Sequence, residues 1–382
     1  MIAGRRFEQD DTPESVLNFI GVKRSYIRLI DKCKLMVMRF LIILLLQFSL
    51  AAVYAVEIEP GVMLGAKTAE TPHWFNESFL EFEEDVAEAA ADGKRVMIFF
   101  HQEGCPYCAR LVEKSFNHPD IEAYIRKNFD GISINLWGDR EVVSIGDQDF
   151  TEKTFAAALR VQYTPTLIFL DERGKTVLRL DGYYAPDKFQ TALRYVAEHY
   201  ETKVKFSQFM LDQYRSTTDS LIDEDFFAQT SQLDHLLEQS GSPLAVYFES
   251  GDCDECRILH NQILTDPPTR RLVAKMQNLQ FDIRSEEEIT LPNGQKSTVN
   301  QWVDELEIVY TPSVVFFDTN GVEVMRIGAF LKTFHFQSVY DYVLEKAYLH
   351  EPSFQRYLSE RAEKIREAGF DTNIWSYQSS HE

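Results

Sequence analysis

Two stretches of the chain carry the same order of apolar runs and breaks. In the first, apolar positions at Phe79, Phe82 and Val86, with Asn76 placed to cap them and Gly93 to end them, predict an amphipathic helix. The continuous apolar run over 96–100 predicts a buried strand from Arg95 to Phe100, and the helical pattern that follows runs toward Ser115, where His118-Pro119 breaks it. A further helical stretch carries Ile121, Tyr124 and Ile125, and residues 131–135 predict a second strand. Residues 166–170 and 176–180 flank Asp171-Glu172-Arg173-Gly174 as a hairpin, and 186–200 form a closing helix that starts on a proline.

The second stretch repeats the first. At an offset of 148, Val96-Met97-Ile98-Phe99-Phe100 aligns with Leu244-Ala245-Val246-Tyr247-Phe248. At an offset of 147, Tyr163-Thr164-Pro165 aligns with Tyr310-Thr311-Pro312, Gly174 with Gly321, Phe189 with Phe336 and Tyr195 with Tyr342. A solenoid would have shorter periods and more copies, so the repeat is read as a duplicated domain. Short insertions from Glu141 and Glu288, centred on Gly146-Asp147 and Asn293-Gly294, predict small exposed hairpins. The resulting organisation is a leader over 1–55, one α/β domain over 72–200, a polar, partly helical linker over 201–225, a second α/β domain over 226–349, and a C-terminal helix with a mobile polar tail over 350–382.

The run Phe-Leu-Ile-Ile-Leu-Leu-Leu-Gln-Phe-Ser-Leu over 40–50, preceded by Lys32, Lys34 and Arg39, has the pattern of a signal peptide. Val53 and Ala55 suit cleavage before Val56, and translation is expected to start at Met36 or Met38. The protein is therefore expected to be exported to the periplasm, with an uncleaved membrane anchor as the alternative. The apolar run falls short of the ~20 residues of a spanning helix. Cys33 lies ahead of the run, where it cannot carry a lipid. The length of 382 residues fits two domains of ~100–150 residues each. A net charge of -21, with no basic stripe beyond the N-terminus, excludes nucleic acid as the partner.

Four of the five cysteines form two identical spacings, Cys105/Cys108 and Cys253/Cys256. A pair that follows a strand and opens a helix sets its first sulfur beside unpaired backbone N–H groups, which favours the thiolate. The first cysteine can then attack a disulfide, and the second, one turn on, resolves the mixed disulfide. Zinc or copper binding and an inert structural disulfide are the competing readings; zinc sites place their second pair ~15–20 residues away, and no nearby His-x-His or third cysteine completes a tetrahedron at either pair. Around Cys253, the residues Asp252, Asp254 and Glu255 disfavour the thiolate, with Arg257 offsetting part of their effect. The second pair is accordingly expected to be the stronger reductant.

The order of strand, Cys105-Pro106-Tyr107-Cys108, helix and a later Tyr163-Thr164-Pro165 before a strand resembles the thioredoxin superfamily in both repeats. The resemblance implies cis Pro165 and cis Pro312 facing the cysteine pairs, with Thr164 and Thr311 offering backbone to an extended substrate. The stretches 124–129 and 135–142 of the first repeat further resemble SoxW-type periplasmic thioredoxins. One departure stands out: the family's buried acidic residue, six positions before the first cysteine, is replaced by Phe99 and Tyr247. His101 and Glu103 are expected on an exposed loop, and Tyr107 and Trp137 at the border of a substrate groove, with core packing an equal expectation for Trp137.

Taken together, these residues predict an exported thiol-disulfide oxidoreductase that reduces disulfides of other periplasmic proteins, draws electrons from a membrane donor and needs no cofactor. The non-enzymatic alternative is a clamp that binds metal or a client protein through the cysteines.

Overall fold

The structure, a computed structural model, describes residues 32, 34–44, 59–211 and 220–379. Residues 34–44 are helical. Cys33, the cleavage site and Val56 lie outside the described residues. Among the described residues, no helix is long and apolar enough to cross a membrane.

After a short strand β1 (Met63–Leu64), the first repeat runs α1 (Phe82–Ala91), β2 (Arg95–His101), α2 (Pro106–Leu111), α3 (Pro119–Asn128), β3 (Phe129–Asn135), β4 (Glu141–Val143), β5 (Asp149–Thr151), α4 (Glu152–Ala158), β6 (Thr166–Leu170), β7 (Thr176–Asp181), α5 (Pro186–Ala197) and α6 (Phe206–Leu211). The second runs α7 (Leu233–Ser240), β8 (Leu244–Glu249), α8 (Asp254–Ile258), α9 (Pro267–Val273), β9 (Gln277–Asp282), β10 (Glu288–Thr290), β11 (Lys296–Thr298), α10 (Val299–Glu305), β12 (Ser313–Phe317), β13 (Glu323–Ile327), α11 (Thr333–Leu344) and α12 (Phe354–Glu367). A last strand β14 (Thr372–Asn373) pairs in parallel with β1. Helices α2 and α8 each run on into one π turn, Val112–Phe116 and Leu259–Ile263.

Each repeat builds a four-stranded mixed sheet, ordered β3-β2-β6-β7 and β9-β8-β12-β13. In both, the first two strands pair in parallel and the others antiparallel. The central strand of each sheet is apolar on both faces because both are covered. On β2, Val96, Ile98 and Phe100 point into a core that belongs to the first repeat alone, and β8 does likewise with Leu244, Val246 and Phe248. Met97 and Phe99, like Ala245 and Tyr247, point the other way into one apolar core that is continuous through both repeats. The two sheets therefore share an interior. The insertion hairpins form as predicted, with Glu141 opposite Thr151 and Glu288 opposite Thr298.

Three local expectations fail. Helix α1 starts at Phe82 and takes no cap from Asn76: Leu80 has φ 66°, which breaks the helical path, and Ser78 accepts the Leu80 N–H at 2.6 Å while donating to Asp85 at 2.7 Å. Phe79 is consequently left 93% exposed. The expected linker is part of the packed structure as far as α6, which buries Phe206, Phe209 and Met210. The expected mobile tail is held: β14 pairs with β1, Trp375 meets Tyr107 edge-on with ring centroids 4.9 Å apart, and Ser379 donates to Asp266 from both its backbone N–H and its hydroxyl.

Candidate active sites

Both cysteine pairs sit where strand becomes helix, after β2 and after β8. Pro106, at the first position of α2, brings no N–H that would need a partner. Cys105 and Cys108 are joined as a disulfide with Cα atoms 5.3 Å apart, and Cys253 and Cys256 likewise at 5.1 Å. The N–H of Cys108 donates to Cys105 Sγ at 3.1 Å, and that of Cys256 to Cys253 Sγ at 2.9 Å. In each pair it is thus the first sulfur that caps the helix, the placement that stabilises a thiolate there once the disulfide is opened. Among the described residues, no group of three or more His, Cys, Asp or Glu side chains is arranged to hold a metal ion.

The Thr164-Pro165 and Thr311-Pro312 peptide bonds are cis. Cys105 Sγ lies 3.4 Å from both the carbonyl oxygen and the hydroxyl of Thr164, so the loop and the first pair face each other. Gln102 fixes this arrangement: its amide donates to Thr164 Oγ1 at 3.0 Å and its carbonyl accepts the Trp137 indole N–H at 2.7 Å. Trp137 is therefore a partly exposed prop for Gln102 and not a core residue. Thr311 is buried, next to Ser207 and Met210 of α6.

The two repeats close each other's sites. Tyr107 is only 4% exposed; its hydroxyl oxygen accepts the Lys332 N–H at 2.8 Å and lies 3.4 Å from His335 Nδ1. At the corresponding place in the second pair, Glu255 accepts from Lys188 of α5 at 3.1 Å. Position 107 corresponds to 255, and 188 to 335, so these are the same contact seen from both sides of a pseudo-twofold axis. The axis passes near Gly182 and its counterpart Ala329: a Cβ on Gly182, which has φ +84°, would stand 2.4 Å from the Ala329 Cβ. Tyr107 was expected at a groove open to substrate. Its ring does border a pocket, but its hydroxyl is spent on the second repeat.

The helices that end the repeats are exchanged in the same way. Helix α6 packs beside Tyr310 and Thr311 of the second repeat's loop, and its Ser207 donates to Asp304 of α10 at 3.1 Å. Helix α12 lies over the loop of the first: the Phe354 N–H donates to Gln162 Oε1 at 2.9 Å, and Gln355 donates to the Gln162 carbonyl at 3.0 Å and accepts from Gln102 at 2.7 Å. Cys105 is left 5% and Cys253 6% exposed.

Electrostatics separates the sites. Burial, with a contribution from Arg361, lowers the pKa of His335 to about 3, so this ring is neutral beside the first pair. His101 is not on an exposed loop; it ends β2, its ring stacked on Phe99, and burial lowers its pKa, reinforced by Arg140 against the opposing pull of Glu152. Behind the second pair, His260 is held between Glu249, at 3.1 Å, and Glu224, at 3.0 Å. Burial opposes its charge, but the two carboxylates together raise its pKa. The acidic flank read in the sequence is partly matched in space, since Asp254 pairs with Arg257 and Glu255 with Lys188. That pairing weakens the charge argument for a more reducing second pair. Tyr247, which replaces the expected buried acid, hydrogen-bonds through its hydroxyl to that of Tyr340.

A family model described as a thioredoxin-like domain matches residues 82–197 and again 232–344. The chain is similar to a solved thioredoxin-fold protein from Helicobacter pylori, with 23% identity over 34% of this chain and 88% of that one and a TM-score of 0.28. It is also similar to a thioredoxin from Thermus thermophilus, with 28% identity over 30% and 83% of the chains and a TM-score of 0.26. A disulphide isomerase from Xylella fastidiosa Temecula1 shares 18% identity over 30% and 79%, with a TM-score of 0.22. No curated protein matches the chain.

Proposed function

The chain belongs to the thioredoxin-like domain family in both of its repeats, and on that premise we propose that it is an exported thiol-disulfide oxidoreductase working in the reducing direction. The observation that carries the reading is the placement of Cys105: its sulfur caps α2, accepts the Cys108 N–H and faces Thr164 at 3.4 Å. A sulfur so placed attacks as the thiolate, and Cys108, one turn on, resolves the mixed disulfide. Disulfide-bearing periplasmic proteins and a membrane electron donor belong to the same proposal, and so does the narrower likeness of the first repeat to SoxW-type thioredoxins. Export rests on the apolar run over 40–50 and its basic flank.

The test is a pair of substitutions in the full chain. Cys105→Ser is expected to abolish disulfide reduction, whereas Cys108→Ser still attacks and accumulates a mixed disulfide that is visible by mass spectrometry. Retention of activity by both variants would remove the first pair from the reaction.

A further inference from the structure

In front of Cys105 lies a pocket of about 180 Å³ that borders Cys105 but not Cys108. Its floor is Cys105 with Thr164, and its walls come largely from elsewhere in the chain: Leu331 and Phe334 from the second repeat, Leu358 and Ala362 from α12, and Ile374 from the tail. Gln355, which reaches across from α12, donates to the Gln162 carbonyl at 3.0 Å and so lies over the backbone that leads into Thr164. The volume is below the ~300–1,000 Å³ of pockets that take drug-sized ligands. The titratable side chains at the pocket are Glu103 at its exposed rim, the neutral His335, the buried Tyr107, Tyr183 and Cys105, and the partly buried Tyr163; no lysine or arginine lines it. An anionic substrate would lose hydration there without gaining a counter-ion, and a cationic one would find only the solvent-exposed carboxylate of Glu103.

We propose that, with the two repeats docked as described, the first pair acts on small uncharged disulfides held in this pocket, and that disulfides of folded proteins reach it only when the repeats part. The inference rests on the oxidoreductase reading and names the substrate class of one site. The Cys105 thiolate attacks one sulfur of R–S–S–R, the substrate S–S bond breaks, and R–S⁻ leaves and takes a proton from water. The Cys108 thiolate then attacks the Cys105 sulfur, releasing the second R–S⁻. Two electrons pass from the dithiol to the substrate, which becomes two thiols, and the pair becomes a disulfide.

A single-turnover experiment on the reduced full chain tests this without an added reductant. The protein is freed of dithiothreitol and mixed with 2-hydroxyethyl disulfide, oxidised glutathione or insulin. Oxidation of Cys105/Cys108 is followed by acid quench, alkylation and peptide mass spectrometry, and each rate is divided by that of free dithiothreitol with the same disulfide. The corrected rate for 2-hydroxyethyl disulfide is expected to exceed those for oxidised glutathione and insulin by about tenfold or more, and Ala362→Phe, which fills the pocket, to lower it by about tenfold. The ranking on the parent chain stands whether or not that variant folds. Insulin reacting as fast as 2-hydroxyethyl disulfide overturns the inference and leaves the oxidoreductase intact. Failure of every disulfide to oxidise the pair overturns both.

Discussion

Tyr107→Phe removes one oxygen from the contact between the repeats and leaves the ring in place. The Lys332 N–H, which donates to that oxygen at 2.8 Å in a buried setting, then has no partner while the repeats stay docked, but finds water when they part. Leaving a buried donor unpaired costs about 1–3 kcal/mol, so the equilibrium between docked and parted repeats is expected to move about 5- to 150-fold toward the parted form. The readout is the alkylation rate of Cys105 in the reduced chain, measured peptide by peptide. A polyethylene-glycol maleimide too large for the pocket should react faster in the variant by that factor. Iodoacetamide, small enough to enter the docked protein, should gain much less. A maleimide rate within twofold of the parent, in a variant whose thermal midpoint has fallen, would show that the hydroxyl supports the fold without controlling access.

Two further expectations concern the same interface. Gly182→Ala places a methyl group 2.4 Å from the Ala329 Cβ at a position with φ +84°, and is expected to cost about 1–3 kcal/mol of stability, checked by urea unfolding. For His335, the folded pKa of about 3 lies below the ordinary 6.5, so the neutral ring contributes stability that is complete above pH 6.5 and is lost as the pH falls toward 3. The slope for one proton is about 1.4 kcal/mol per pH unit, and His335→Gln should remove that component from the urea midpoint measured between pH 6 and 4.

The repeat was legible because strands β2 and β8, the hairpin turns at Gly174 and Gly321 and the Tyr-Thr-Pro loops obey local rules that survive divergence. The cysteine pairs and their loops were legible for the same reason. Hidden from the sequence was everything that one repeat does to the other, because Lys188, His335 and Gln355 acquire their roles only through contacts more than 60 residues away in the chain. A signal did exist. The offset of 147 continues past the closing helices: the Tyr195 hydroxyl donates to the Val204 carbonyl at 2.8 Å and that of Tyr342 to the Glu351 carbonyl at 2.8 Å, and Gln208 and Leu211 then align with Gln355 and Leu358. Following that offset would have made α6 a counterpart of α12, and so part of a domain pair, where polarity alone suggested a linker. Helix α1 was misplaced for a simpler reason: an apolar residue at helical spacing, Phe79, says nothing of the left-handed Leu80 beside it.

The exchange of end helices has a consequence for how this chain can change over time. In a symmetric pair of identical subunits, any residue that shapes one site shapes the other as well. Fusion has lifted that constraint: Cys105 is walled by Leu331, Phe334 and Leu358, whereas the second pair has Lys188 against it. Each half therefore carries the chemistry of its own cysteines and the selectivity of its neighbour's. A substitution on α12 would retune the first site without touching the second, and α6 offers the reverse, so two specificities can drift apart in a protein whose core keeps them in one body.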